Sequence, residues 1–409
     1  MIARAGTKTR LPERFIEIFI TLLVFVALLD PSDQIFHLKV PLFVGVIVSY
    51  ALSRGINRST ISLGTWAITI TVSLILPLIC TTIGLLNSDI HSDDNVLAVL
   101  KSFLFLLVIP ILINENIDLL SRINRMSIVI ASLTIALAIA GVIAPALFLL
   151  FYQFSLDKQN AIISTQRDVI GIGLGQIYYK TSSVMVFPFL YYLWEYLDRR
   201  ARRMFPLLMI VLFAVALLAS GTRANVIASA LMGCMSVLIK LRQKRGWGSV
   251  VLFVLIASAV LGPFVISRAF DPTEESNAVK LGHARSYANE FSEHPQILLW
   301  GEGAATAFYS EGVRDWKAGG TELTYLEIVR LFGIPITMGF AVGLLWIAYA
   351  LYRKRKWYML TGYLAYLAIS GSNPLLISST GLLVICAMWK EAVTPPKDSV
   401  CLSIQSVQY

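Results

Sequence analysis

Charge is scarce in this chain: Asp, Glu, Lys and Arg make up 14% of its 409 residues, against 56% apolar residues and a mean hydropathy of +0.71. A water-soluble domain cannot hide that much apolar surface in one core, so the composition points to an integral membrane protein. Cysteine is almost missing. Cys80, Cys234 and Cys386 fall in apolar runs and Cys401 in the tail, which gives neither a disulfide framework nor a zinc-type spacing. Histidine is as rare, and His283 and His294 stand too far apart, without a set of acidic ligands beside them, to mark a metal site. No cofactor is expected. There is no internal repeat, no low-complexity tract and no long hydrophilic domain on the inner side, which speaks against a transporter of two related halves and for one membrane domain over residues 1–409. The first apolar run ends in "DPSDQIFH" without a small-x-small cleavage site, so a retained helix is expected rather than a removed signal peptide.

Long apolar runs are what the chain does have. A bilayer core needs roughly 20 apolar residues per helix, and on that rule about twelve spans are expected. They are 15–29, 38–52, 60–86, 96–113, 127–151, 177–197, 205–219, 224–241, 249–266, 322–352, 357–371 and 375–389. The fold expected is an all-α polytopic membrane protein. The basic clusters "DRRARR", "KLRQKR" and "RKRK" lie in alternate connections, which places those connections and both termini in the cytoplasm. The net charge of +9 follows from this sidedness, so membrane lipids are expected as partners and nucleic acid is not. Lys39, Lys101, Lys180 and Arg330 fall within the spans.

Two outer loops are long. Residues 152–176 contain "QRDVIGIGLGQ", whose glycines lack the strand and helix of a dinucleotide site. Residues 267–323 are far longer and carry aromatics, glycines and a helical stretch, "HARSYANEFSEHP", so they are expected to form an ordered cap on the outer face. The loop at "NSDIHSDDN" reads as a solvated acidic connection more readily than as a cation site.

The stretch "TELTYLEIVRLFGI" leads from that cap into a span. On a helix starting near residue 321, Glu322, Tyr325, Leu326, Val329 and Gly333 share a face, with Glu322 at the water boundary. A carboxylate there is either a proton acceptor facing a cavity or a first-turn charge that offsets the helix dipole. Glu327 and Arg330, one turn apart, either pair with each other or line a polar cavity. Arg223 follows Ser220, Gly221 and Thr222 at a tight turn, where its guanidinium can meet lipid phosphates or a pyrophosphate. Arg285 falls on the helical stretch of an acidic loop, as a phosphate ligand or as the partner of Glu290 or Glu293. Lys180 and Arg167 are further outer cations, and Lys180 can equally snorkel to the interface.

Taken in order, "SGTR" closing a span, a late outer loop running through "HPQILLWGEGAATAFY", and "TELTYLEIVRLFGI" opening the next span resemble the O-antigen polymerase and ligase superfamily over residues 205–352. The resemblance implies a GT-C-like membrane glycosyltransferase of the inner (cytoplasmic) membrane with its active site in the periplasm. It also implies undecaprenyl-pyrophosphate-linked glycans as substrates, a chain-length regulator protein as a partner, and no metal. On this resemblance Glu322 stands where ligases carry a histidine, which favours the polymerase branch. Glu322, Arg223 and Arg285 then become the catalytic residues, with Tyr325, Lys180, Arg330 and Arg167 binding substrate. A ligase capping lipid A core with finished polymer, and a transporter of lipid-linked glycans, are the competing expectations.

Overall fold

The computed structural model describes residues 11–54, 63–87, 93–158, 163–166, 175–198, 204–242, 275–317, 319 and 321–395. The expected span 249–266 and the candidate Arg167 lie outside these residues, as does most of the "NSDIHSDDN" loop.

The described chain is mostly helical. Helices α1 (Leu11–Leu29) and α2 (Lys39–Arg54) pack as an antiparallel pair. The next stretch runs through α3 (Leu63–Ile70), a π turn at Thr71–Ile75 and α4 (Leu76–Asn87). The π turn has a local cause: Pro77 lacks the N–H that would bond Ser73 O, and its ring crowds that carbonyl. In the same way α5 (Asp93–Leu104) tightens into a 3-10 turn at Phe105–Leu107 before α6 (Val108–Asn114), whose Pro110 has no N–H to offer Leu106 O. Then come α7 (Leu119–Ile143), α8 (Pro145–Asp157), the antiparallel strands β1 (Ile163–Gln166) and β2 (Gly175–Tyr178), and α9 (Val186–Asp198), α10 (Met204–Ala219) and α11 (Arg223–Arg242). The later part holds α12 (Glu275–Glu293), α13 (Ile297–Trp300), the hairpin β3 (Phe308–Ser310) and β4 (Asp315–Lys317), α14 (Thr324–Arg353), α15 (Trp357–Ser370) and α16 (Ser379–Val393).

Among the described residues, five helical stretches are long and apolar enough to cross a membrane: Gly64–Asn87, Asp93–Asn114, Leu119–Ile143, Arg223–Lys240 and Thr324–Arg353. Lys39–Ser53, Pro145–Ser155 and Met204–Ala219 are apolar but shorter. Large apolar side chains such as Leu52, Leu147, Leu208 and Leu345 stay exposed on these helices, as the outside of a lipid-embedded bundle requires.

Several expectations need correction. The span 127–151 is two helices, because Ala144 leaves the helical region (φ −136°, ψ 68°) before Pro145, and α8 takes up the first residues of the loop expected at 152–176. The described remainder of that loop forms strand β1, which pairs antiparallel with β2, and Ile177 and Tyr178 of β2 belong to the expected span 177–197, which is therefore not helical at its start. The helix expected from residue 321 starts at Thr324 with Leu323 as its N-cap, so Glu322 precedes it, and Glu327 is the acid of its first turn. Finally, α14 is not straight: Gly333 (φ 75°, ψ 168°), two residues before Pro335, kinks it and separates the charged segment 324–332 from the apolar remainder.

Charge sorts the bundle into two ends. One gathers the starts of α1 and α7 and the finishes of α9, α11, α14 and α16. Its pairs are Arg122–Glu17 at 3.7 Å, Lys240–Asp198 and Lys356–Glu391 at 2.6 Å. The other end collects the close of α1, the starts of α2, α5, α14 and α16, and residues 275–323 packed over them. There Thr380 Oγ1 donates to Ala27 O, Thr181 Oγ1 to Leu28 O, and Lys39 Nζ to Ser379 Oγ.

Candidate functional site

Glycine lets residues 297–306 sit directly on the helices. A Cβ on Gly303 (φ 97°) would lie 2.2 Å from Gly84 N, and one on Gly301 (φ 77°) 2.4 Å from Leu331 O. The backbones that meet there are bonded: Ala304 N to Cys80 O at 3.2 Å, Glu302 N to Arg330 O at 2.6 Å, and Asn95 Nδ2 to Ala304 O at 2.6 Å. The segment 275–323 is therefore a fixed cap.

Beneath it lies an ionic network centred on two buried charges. Arg330 is 0% exposed and Glu327 2%. Burying such charges costs several kcal/mol each unless they are paired and hydrogen-bonded. Arg330 Nη2 donates to Glu327 Oε1 at 3.0 Å, and its Nη1 donates to Glu302 Oε2 at 2.7 Å and to Thr306 Oγ1 at 3.0 Å. The guanidinium also lies over the Phe308 ring, 4.8 Å from its centroid. Tyr287 on α12 donates its hydroxyl to the other oxygen of Glu327, and Thr321 Oγ1 joins them. Burial, and then the Glu327 charge, push the Tyr287 phenol well above its usual range, so it stays a donor.

The same face of α12 holds the hairpin. His283 Nδ1 bonds Ser310 Oγ at 2.6 Å, and Ser286 Oγ accepts from Glu311 N at 2.8 Å. Gly282 allows the contact, since a Cβ there would lie 2.4 Å from Gly312 Cα. Burial lowers the His283 pKa below its ordinary value despite the nearby carboxylates Glu322 and Glu327.

The expected site residues fall into different settings. Glu322, about one-third exposed, pairs with Lys280 of α12 at 3.4 Å. Tyr325 donates its hydroxyl to Leu367 O at 2.7 Å and lays its ring against Gly371, so it braces α14 on α15 while part of the ring remains exposed. Arg330 is enclosed by the network, with no exposed surface left for a ligand. Arg285 is exposed, and at about 100° per residue it points roughly 140° away from Lys280 around α12. Of the two partners considered for it, Glu290 and Glu293, Glu290 lies 4.0 Å from His294. Arg223 is the first residue of α11, half-buried beside Asn225, whose Nδ2 donates to Ser182 Oγ at 2.9 Å and ties α11 to the stretch after Lys180. Glu322, Tyr325, Glu327 and Arg330 thus gather at the start of α14, while Arg223 and Lys180 belong to the neighbouring α9–α11 layer.

Next to the network is a cavity of about 810 Å³, walled jointly by the cap (Trp316, Lys317, Gly319, Thr321) and by the ends of α2, α5, α14 and α16. Lys39 and Lys101 line it, and so does Glu327. Lys39 Nζ donates to Pro31 O at 2.6 Å and to Ser379 Oγ at 3.1 Å. The preceding loop is set by Asp30, a fully buried carboxylate that accepts from the backbone of Gln34, Ile35 and Phe36. Lys39, Lys101, Lys317 and Lys280 had no role in the sequence reading. The available signal was that Lys39 and Lys101 are cations inside apolar runs, which in membrane proteins mark pathways and sites. Among the described residues no cluster of three His, Cys, Asp or Glu side chains is arranged to hold a metal ion. No family model matches the chain, and a search of curated proteins finds no match.

Proposed function

We propose that this protein polymerises oligosaccharide repeat units carried on a polyprenyl pyrophosphate, as a twelve-span enzyme of the bacterial inner membrane with the 267–323 segment on the periplasmic face. One observation carries the reading: a large cavity of mixed polar and apolar lining is shared between an ordered cap and the ends of membrane-type helices, and the partly exposed carboxylate Glu322 stands beside its lining residue Thr321 at the cap-to-helix junction. A lipid-anchored donor has to be met at such a boundary, with its sugar under the cap and its chain among the helices.

In the reaction, an acceptor sugar hydroxyl attacks the anomeric carbon of the donor sugar. A new glycosidic C–O bond forms, and the C–O bond to the pyrophosphate breaks. The pyrophosphate leaves with the electron pair, and the hydroxyl proton passes to Glu322, which Lys280 orients. Cations stabilise the charge growing on the leaving group. In this reading Arg223 at the start of α11 and Arg285 on α12 supply that positive charge, and Lys180 assists. Arg330 acts indirectly, by fixing the start of α14.

The test is purified protein incubated with one lipid-linked repeat unit. A ladder of longer carrier-linked products is expected. Glu322→Ala, Arg223→Ala and Arg285→Ala should each slow it about 100-fold, the usual cost of a lost charge-stabilising or proton-accepting group. Transfer of glycan across vesicles without bond formation, or full-rate ladders from all three variants, would overturn the reading.

A further inference from the structure

The arginines are poorly placed to be the whole phosphate site: one is enclosed and another faces outward. The cavity offers other cations. Lys101 stands two turns into α5, on the bilayer-length apolar stretch Asp93–Asn114, and lines the cavity. Among the described residues its side chain makes no hydrogen bond and no ion pair, and the same holds for the side chain of Lys317 on β4. A cation at such a position is costly unless an anion meets it. Two acids lining the cavity are already engaged: Glu327 by Arg330 and Tyr287, and Asp33 by the Lys39 backbone N–H at 3.2 Å. Asp94 sits in the first turn of α5, where the helix dipole favours a negative charge. The cavity thus has spare ammonium groups, while two of its three carboxylates are already in use. Its wall also carries apolar side chains: Phe43 one turn past Lys39, Phe105 one turn past Lys101, and Leu97 one turn before it.

We infer that this cavity binds the phosphate head of an amphiphile, held by Lys39, Lys101 and Lys317 from three separate elements, with its apolar chain along Phe43, Leu97 and Phe105. Lysine suits the task, because its ammonium is a point charge on a flexible stem that can close on a phosphate without a fixed fork. The inference rests on the proposed donor class only for the nature of the chain; the phosphate site itself rests on the lysines.

The experiment measures binding to detergent-purified protein of a long-chain isoprenyl phosphate, the matching isoprenyl alcohol, and inorganic pyrophosphate. Isoprenyl phosphate should bind at least tenfold more tightly than the alcohol. Lys101→Met and Lys317→Gln should each lose about tenfold of that affinity, the size expected for one charge-assisted hydrogen bond, while Lys101→Arg retains most of it. Thermal unfolding of each variant separates lost binding from lost fold. Equal binding of alcohol and phosphate, or undiminished binding in well-folded variants, overturns the inference. Inorganic pyrophosphate binding as tightly as the isoprenyl phosphate supports the lysine site and overturns its chain-binding wall. Lysine-dependent binding without any ladder sinks the polymerase and leaves the site standing. Ladders from a protein whose binding ignores the lysines do the reverse.

Discussion

Glu327 belongs to two regions at once, and they treat charge in opposite ways. On one side Glu327 bonds Arg330, Tyr287 and Thr321, and Arg330 in turn bonds Glu302 and Thr306, so that these charges satisfy one another. On the other side it lines a cavity where the side chains of Lys101 and Lys317 have no such partners among the described residues. The first region holds the cap in place and the second can receive something. The lesson is that depth alone does not mark a ligand site; the difference lies in whether the charges already satisfy one another.

The comparison breaks most visibly at Arg330. Arg330→Met leaves two carboxylates, Glu327 and Glu302, without their cation under the cap, which should cost about 3–5 kcal/mol. The readout is thermal unfolding in detergent together with protease access to residues 275–323. Lys101→Met should leave both unchanged or slightly improved, since it removes an unpaired cation from an apolar helix. If the two substitutions destabilise equally, the contrast between the regions is wrong.

Tyr287→Phe sharpens the same contrast at a smaller scale. It deletes one hydroxyl bonded to a buried carboxylate and keeps the ring against Phe308 and Phe291, so a loss of about 1.5–3 kcal/mol is expected. In the double variant with Arg330→Met the two losses should not add, because both act on Glu327. Full additivity would mean that the network is not a unit.

The apolar runs announced most of the helices, since hydrophobic burial in lipid has a length that can be counted. Two breaks were also signalled, by Pro145 and by the Gly333–Pro335 pair, but an apolar stretch reads through such residues when only hydropathy is followed. The start of α14 was misplaced because Leu323 (φ −101°, ψ 68°) is a non-helical N-cap, and an apolar residue there carries none of the usual capping chemistry. In the site, the Glu327–Arg330 pair was legible from its one-turn spacing. Glu302 and Tyr287 were not, because they arrive from distant parts of the chain and nothing local marks them. The same holds for the convergence of Lys39, Lys101 and Lys317, which depends on three elements meeting.

The smallest effect expected is a pH dependence in the cap. His283 is buried against Ser310 and its pKa lies below that of the unfolded chain, so folding favours the neutral imidazole. A base with a depressed folded pKa stabilises the fold fully above its unfolded value, about 6.5, and that stabilisation falls away as the pH drops through the folded value. Protease access to the cap should therefore increase on acidification below about pH 6.5. His283→Gln, which keeps a polar partner for Ser310 and cannot charge, should flatten that response at a modest constant cost. An unaltered pH profile in the variant would assign the response to other groups, but not to Glu290, whose pKa burial raises. Its sign is opposite: a carboxyl raised by folding gains stability as the pH falls, so a cap that tightened on acidification would mean that Glu290 outweighs His283 and that the hairpin contact is not what acid loosens.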